Sequence, residues 1–414
     1  MHDTLRRPRL PVALRLLLAG DVVSAVGIGL TQPYLVILLH SVKGVPLVTA
    51  TAMTSLLALA SFPGNWLSGA LADRYRGHRV MTGGLAVTVC GLVLVAAGEH
   101  PLLLGCAVAA VGFGWSVTLP AYATLIAGLV PEAAQGRAFT LQFALFNAGM
   151  GAGSAAGVLV GTGDLTALWW VAAATCLVAV GAVWAAYTRT PTGAPATAVQ
   201  DTALATGGGY RALLADRALL RVLLVALLMS AAGYGVYNAG LPVVAVTGGD
   251  PGAMSWASVA NCLTIVAGLP LALRAGARLR PPQLIAAAAA VWSAGWLLCA
   301  VEARSHLLGA GVTLPLAAVL VGVGELLLAG ALPALVNALA PEALRGRYNA
   351  SLTHAMTSGM WAGPLLAAAA TGLGRVWLLF AAAVALLAVV TLLVRRPART
   401  APVPDLQPAT TGPR

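Results

Sequence analysis

Twelve runs of apolar residues, each long enough to cross a lipid bilayer, set the limits on what this chain can become. A helix needs about 20 such residues to traverse the hydrocarbon. The runs are Ala13 to Leu39, Leu47 to Ala72, Val80 to Gly98, Pro101 to Leu129, Gly136 to Gly161, Thr166 to Tyr187, Ala218 to Val246, Ala253 to Leu273, Gln283 to Val301, Gly311 to Leu339, Tyr348 to Thr371 and Val376 to Val394. Their length and the lack of period-two alternation exclude membrane strands. The fold expected is therefore an all-α membrane protein of twelve transmembrane helices.

Composition points the same way. Of the 414 residues, 59% are hydrophobic and 9% charged, where a soluble domain carries about 25% charged residues. Surface-to-volume scaling leaves a soluble fold of this size nowhere to hide so much apolar surface, so a lipid bilayer is the expected partner. The net charge of +11 does not indicate nucleic acid, because almost all of the charged residues sit in the short gaps between apolar runs. The five cysteines (Cys90, Cys106, Cys176, Cys262 and Cys299) all lie inside those runs without metal-ligand or CxxC spacing, which reads as small buried apolar residues. No cleavable signal peptide is expected, since the first run is too long and lacks a small-residue cleavage site.

Charge also gives topology. With the N-terminus placed in the cytoplasm, 21 of the 24 lysines and arginines fall in cytoplasmic segments, leaving Lys43, Arg304 and Arg375 outside. This asymmetry predicts cytoplasmic N- and C-termini. The longest polar gap, Thr188 to Arg217, is rich in Pro, Gly, Ala and Thr and reads as a flexible linker. It separates an N-terminal six-helix bundle (1–187) from a C-terminal one (218–394). The Pro-rich tail, 395–414, reads as a disordered cytoplasmic extension. The Arg-, Ala- and Gly-rich composition suggests a bacterial source and hence the inner membrane.

The halves repeat. An offset of 210 residues places Val111-Gly112-x-Gly114 on Val321-Gly322-x-Gly324, Pro131-Glu132-Ala133 with Gly136-Arg137 on Pro341-Glu342-Ala343 with Gly346-Arg347, and Gly149-Met150 with Gly153 on Gly359-Met360 with Gly363. An offset of 206 places Arg15, Ser24, Gly27 and Gly29 on Arg221, Ser230, Gly233 and Gly235. Parallel six-helix repeats are a secondary-transporter architecture with its solute site between the halves, near the midplane.

Between the second and third runs lies Gly69-Ala70-Leu71-Ala72-Asp73-Arg74-Tyr75-Arg76-Gly77-His78-Arg79. With the twelve-run layout and the repeat, this stretch resembles the G-x-L-a-D-r-x-G-r-[kr] loop of the major facilitator superfamily. The resemblance implies two pseudo-symmetric six-helix bundles, with the first, fourth, seventh and tenth helices lining a central cavity. It also implies a gating loop formed by Gly69, Asp73, Arg74, Gly77 and Arg79. Asp73 is suited to a latch, because a carboxylate accepts from a helix N-terminus and pairs with arginine. The second half lacks it: Leu271-Ala272-Leu273-Arg274 stands in that place. The fifth and eleventh runs, with Gly149, Gly151, Gly153 and Gly157 and with Gly359, Gly363 and Pro364, partly resemble the glycine-rich fifth helix of drug/proton antiporters; ordinary small-residue packing is the competing and more common reason for them.

Two acids lie inside apolar runs. Asp21 is ~12 Å and Glu325 ~21 Å along its helix at about 1.5 Å per residue. A charge at such depth costs at least ~2.5 kcal/mol, so these acids are the candidates for proton coupling; a structural hydrogen bond, or for Asp21 a pairing with Arg15, is the alternative. Neither acid has an acidic counterpart in the other half: Glu325 aligns with Trp115 and Asp21 with Leu227. Candidates for solute binding are Gln32 and Tyr34, Trp115 and Tyr122, Gln142 and Asn147, then Tyr234, Tyr237 and Asn238, and His354. Interhelical hydrogen bonding is the competing role for each. An aromatic and amide lining with few fixed charges suits a lipophilic or amphipathic solute.

No P-loop, GxSxG or HExxH is present, so neither ATP drive nor an enzyme is indicated, and no cofactor or metal is expected. The expectation is a monomeric secondary transporter that exports a small-molecule solute, a drug-like or secondary-metabolite compound, in exchange for protons by alternating access. Import of a nutrient, or a receptor or scaffold that transports nothing, are the rival readings.

Overall fold

The computed structural model describes residues 10–160, 164–189, 213, 215–341 and 344–395. Most of the predicted 188–217 linker and the tail after Arg395 lie outside these residues. Helical segments follow one another as α1 (Val12–Val42), α2 (Ser55–Arg74, led in by a short helix Leu47–Met53), α3 (Gly77–Ala97), α4 (Pro101–Leu129), α5 (Glu132–Val160), α6 (Leu165–Tyr187), α7 (Arg217–Thr247), α8 (Ala253–Arg278), α9 (Pro281–Ser305), α10 (Ala310–Leu339), α11 (Arg345–Gly372) and α12 (Trp377–Arg395). No strand occurs among the described residues. Lipid offers the backbone no hydrogen-bond partner, which leaves helices as the structure such apolar runs can adopt. Ten of the segments are long and apolar enough to cross a membrane. The two left out are α5 and α11, the pair related by the repeat, whose sequences mix Gly, Ser, Thr and amides into the apolar run.

Local signals set the helix starts. Pro101 and Pro281 occupy first-turn positions in α4 and α9, where a missing N–H costs nothing. Asp216 caps α7, accepting from Ala218 N at 2.9 Å and Leu219 N at 3.1 Å, and it is also hydrogen-bonded by the Tyr348 hydroxyl of α11 at 2.8 Å. Helix α7 thus begins at Arg217, one residue before the apolar run that marks it in sequence.

The packing repeats as the sequence does. In the first half α1 packs on α5 and α6, α3 on α4 and α6, and α2 on α4. In the second half α7 packs on α11 and α12, α9 on α10 and α12, and α8 on α10. Every pairing recurs six helices later. The repeat glycines explain the closeness of these contacts. A side chain at Gly29 would collide with the Met150 carbonyl of α5, and one at Gly153 with the Val26 carbonyl of α1. Their counterparts Gly235 and Gly363 face each other directly in the second half. Absent side chains let such backbones touch.

Between the halves, α5 lies on α8, α2 on α11, and the far ends of α1 and α7 meet. The apolar cores show where the seam is tight. One cluster, including Tyr34, Leu38, Trp169, Leu241, Ala257 and Trp292, runs through both halves. A second, built on Leu14, Leu17, Val80, Tyr122, Ile126 and Val183, belongs to the first half alone, at the end of the bundle nearest the N-terminus. The halves are therefore welded at the end away from the N-terminus and carry separate apolar cores toward it.

Candidate solute-binding site at the seam

At the welded end, α1 is interrupted by a 3-10 turn at Gln32–Tyr34, with Pro33 inside it. Proline has no N–H to continue the α-helical pattern. The turn brings Gln32 across the seam, where its Nε2 donates to Asn238 Oδ1 of α7 at 2.8 Å. Beside this bridge is a cavity of about 30 Å³, lined from α1 and α5 by Gly29, Gln32, Pro33, Met150 and Ser154 and from α7 and α8 by Tyr237, Asn238, Met254, Ser258, Asn261 and Cys262. It has room for a water or two and is far smaller than the few hundred Å³ a drug-sized solute occupies. The seam here is shut. Tyr34, buried next to it, donates to the Gly157 carbonyl at 3.3 Å.

Glu325 on α10 is one side chain away from this cavity. Asn261, a cavity-lining residue of α8, is its amide neighbour, and Asn261 Nδ2 donates to the Ala318 carbonyl of α10 at 3.3 Å. Tyr234, Tyr237 and Cys262 lie within electrostatic reach of the same carboxyl group. Tyr234 meets Trp292 edge to face at 5.7 Å. Among the described residues, no arginine or lysine pairs with Glu325.

Asp21 occupies a second polar cluster inside the first half. Gln142 Nε2 of α5 donates to Asp21 Oδ2 at 2.9 Å, and the buried Tyr122 hydroxyl, without a hydrogen-bond partner among the described residues, is Asp21's electrostatic neighbour. The alternative pairing of Asp21 with Arg15 is not seen; its partner is a neutral amide. Eight residues separate Asp21 from Gly29 and Gln142 from Met150, so this cluster lies ~12 Å along the helices from the cavity at about 1.5 Å per residue.

Of the predicted solute-binding residues, Gln32, Tyr237 and Asn238 thus line one cavity, and Tyr34 and Tyr234 stand behind it. Tyr122 and Gln142 belong to the Asp21 cluster. Trp115 sits 6.1 Å from Phe146, and Asn147 is buried and donates to the Phe143 carbonyl of its own helix at 2.9 Å. His354 stacks on Phe62 at 5.9 Å and bridges α11 to α2 across the seam. In the predicted gating loop, the side-chain positions of Gly69, Asp73 and Arg74 lie outside the described residues. Gly77 opens α3 and Arg79 is exposed. Next to them Arg76 Nη1 donates to the Tyr187 hydroxyl at 2.5 Å, and His78 stacks on the same ring at 3.6 Å.

Sequence reasoning missed Ser154, Met254, Ser258 and above all Asn261. A signal was present: Met254, Ser258, Asn261 and Cys262 recur at helical spacing and form one stripe of α8. It also missed Glu302, a buried acid at the end of α9 that accepts from Leu308 N at 3.0 Å, Gly309 N at 3.1 Å and Thr313 Oγ1 at 3.3 Å, and so shapes the α9–α10 turn.

Residues 17–250 match the model of the Major Facilitator Superfamily. The chain belongs to the Major Facilitator Superfamily. It is 32% identical over 376 residues to a chloramphenicol resistance protein of Streptomyces lividans, covering 86% of this chain and 88% of that one. An uncharacterised MFS-type transporter of Bacillus subtilis (strain 168) is 27% identical over 370 residues, 86% of this chain and 87% of the relative. Among solved structures, the nucleoside transporter NupG superposes with a TM-score of 0.74 at 14% identity, covering 93% of this chain and 100% of that one. The POT family transporter PepTSo gives 0.73 at 14% identity, over 94% and 98%. These two establish a shared fold. This member of the Major Facilitator Superfamily is a multi-pass membrane transporter of small solutes and not an enzyme.

Proposed function

We propose that this transporter exports neutral, amphipathic compounds in exchange for protons, as a monomer in the bacterial inner membrane with both termini in the cytoplasm. The observation that carries this reading is Glu325, an acid deep in a membrane helix with the amide of a cavity-lining residue beside it and, among the described residues, no paired cation. A buried ion pair would fix the charge, because removing one partner strands the other at high cost. An amide does not fix it: it has N–H groups for the carboxylate and a carbonyl oxygen for the protonated acid. Glu325 can therefore gain and lose a proton where a permanent charge would be expensive.

Solute chemistry follows from the lining. Gln32, Asn238, Ser154, Ser258 and Asn261 supply neutral hydrogen-bonding groups, Met150, Met254 and Cys262 supply soft apolar surface, and no charged side chain is among them. Such a surface suits an uncharged molecule with a few polar groups. Similarity to a chloramphenicol resistance protein makes chloramphenicol the first compound to test. With the termini in the cytoplasm, the welded end faces outward, as an exporter requires while it loads from inside. Rocking of the two halves, gated on the cytoplasmic side by the Asp73 loop, then exposes the site outward, and Asp21 is the candidate for a second titrating group.

The test is expression in an efflux-deficient bacterial host challenged with chloramphenicol. Export predicts higher tolerance and lower cellular accumulation, both abolished by a protonophore. Increased accumulation of the drug on expression, or tolerance that survives collapse of the proton gradient, overturns this reading.

A further inference from the structure

The motif glycine Gly322 makes room for an unusual contact. An added Cβ there would lie 3.2 Å from Asn261 Nδ2 and 3.1 Å from Thr264 Cβ, so a bare backbone is what lets the Asn261 amide lie against α10. Two groups of α10 converge at that level. The Ala318 carbonyl points one turn forward along the helix, and the Glu325 side chain leans one turn back, as helical side chains do. Asn261 meets both.

The first half shows what this junction is without an acid. Gly112, the repeat partner of Gly322, packs on Leu57 of α2 as Gly322 packs on Asn261 of α8. The position equivalent to Glu325 is Trp115. The register that sets Leu271–Arg274 on Leu71–Arg74 places Ser61 opposite Asn261, so the amide, like the acid, has no counterpart in the first half. Packing alone does not ask for an asparagine here.

We propose that Asn261 is the positioning residue that couples the protonation of Glu325 to solute binding; this rests on the exchange reading above. One N–H of its amide is held by Ala318. When Glu325 is ionised it takes the other N–H, and the Asn261 carbonyl oxygen is left free to accept from a solute hydroxyl or amide. When Glu325 is protonated its own O–H claims that oxygen. Proton and solute then compete for a single acceptor at the cavity wall, which gives the negative, reciprocal coupling that exchange requires. The other titratable groups facing Glu325 are Tyr234 and Tyr237 from α7 and Cys262 from α8. Phenols and thiols are protonated at physiological pH in water, and α9 brings Trp292 to the same region.

The test uses the purified full-length protein in lipid nanodiscs, with chloramphenicol as the probe at acid and alkaline pH. Wild type is expected to bind at least tenfold more weakly at acid pH. Asn261→Leu, which removes the amide and keeps the bulk of the side chain, is expected to bind at one pH-independent affinity, and Glu325→Gln likewise. A purely structural Asn261 would weaken binding by the same factor at every pH, which overturns the proposal. Wild-type binding that is itself pH-independent overturns the exchange reading, whereas pH dependence retained by Asn261→Leu overturns only the role of Asn261. A second measurement is independent of solute: the infrared carbonyl band of protonated Glu325, identified by its absence in Glu325→Gln. Asn261→Leu is expected to move it to higher frequency. An unmoved band removes the contact on which the proposal stands, including when chloramphenicol does not bind.

Discussion

Replacing Gln32 by leucine removes the one described side-chain hydrogen bond that joins α1 to α7 across the seam. Leucine keeps the bulk of the side chain, so the perturbation is chiefly the lost bond and an amide of Asn238 left unpartnered. Side-chain hydrogen bonds between membrane helices are worth ~0.6 kcal/mol on average and up to ~1.7. At about 1.4 kcal/mol per factor of ten, the ratio of open to shut seam should rise about threefold, with a ceiling of roughly fifteenfold. Cys262 reports this opening, because it lines the cavity beside the bridge. With Cys90, Cys106, Cys176 and Cys299 replaced by alanine, a membrane-impermeant maleimide applied to whole cells should alkylate Cys262 about three times faster in Gln32→Leu than in the parent. Asn238→Leu should do the same, and the double variant should add little, since both changes break one bond. An unchanged or slower rate in Gln32→Leu refutes the idea that this bridge holds the seam shut.

Two further outcomes follow from the packing. Gly29→Ala places a methyl group against the Met150 carbonyl, with the Met150 Cα only 2.9 Å away; α1 and α5 must part, at a cost of about 1–3 kcal/mol or more, and the detergent-solubilised protein should melt several degrees lower, whereas an unchanged melting temperature contradicts the close approach. Gly151→Cys puts a second sulfur opposite Cys262, whose Cβ lies 3.0 Å from an ideal Cβ at 151, a few tenths of an ångström short of the about 3.5–4.5 Å of a relaxed disulfide; mild oxidation should abolish transport and reduction restore it, and activity indifferent to oxidant would show that α5 and α8 need not separate in the cycle.

Much of this architecture was legible before any coordinates. Apolar run length dictates helices in lipid, and the fixed offset between Gly112 and Gly322, or Gly153 and Gly363, announced the duplicated bundle because a glycine at a helix crossing leaves little freedom to its neighbours. Glu325 and Asp21 stood out because charge in hydrocarbon is costly enough to demand a reason. Their partners were harder to read. Gln142 and Asn261 are amides among many, and an amide's role depends on which helix it faces, a tertiary fact without periodic signature. Asn261 in particular is joined to Glu325 by the α8–α10 crossing, 64 positions apart in the chain. The shut state of the cavity was not legible at all, because Gln32 and Asn238 meet only once the halves are docked.

The most direct test of a proton-carrying Glu325 is chloramphenicol flux into proteoliposomes under an imposed pH gradient, with wild type and Glu325→Gln compared at equal protein content. The account expects gradient-driven accumulation to vanish in Glu325→Gln while solute-for-solute exchange across the same vesicles continues. Full gradient-driven accumulation by Glu325→Gln would contradict it.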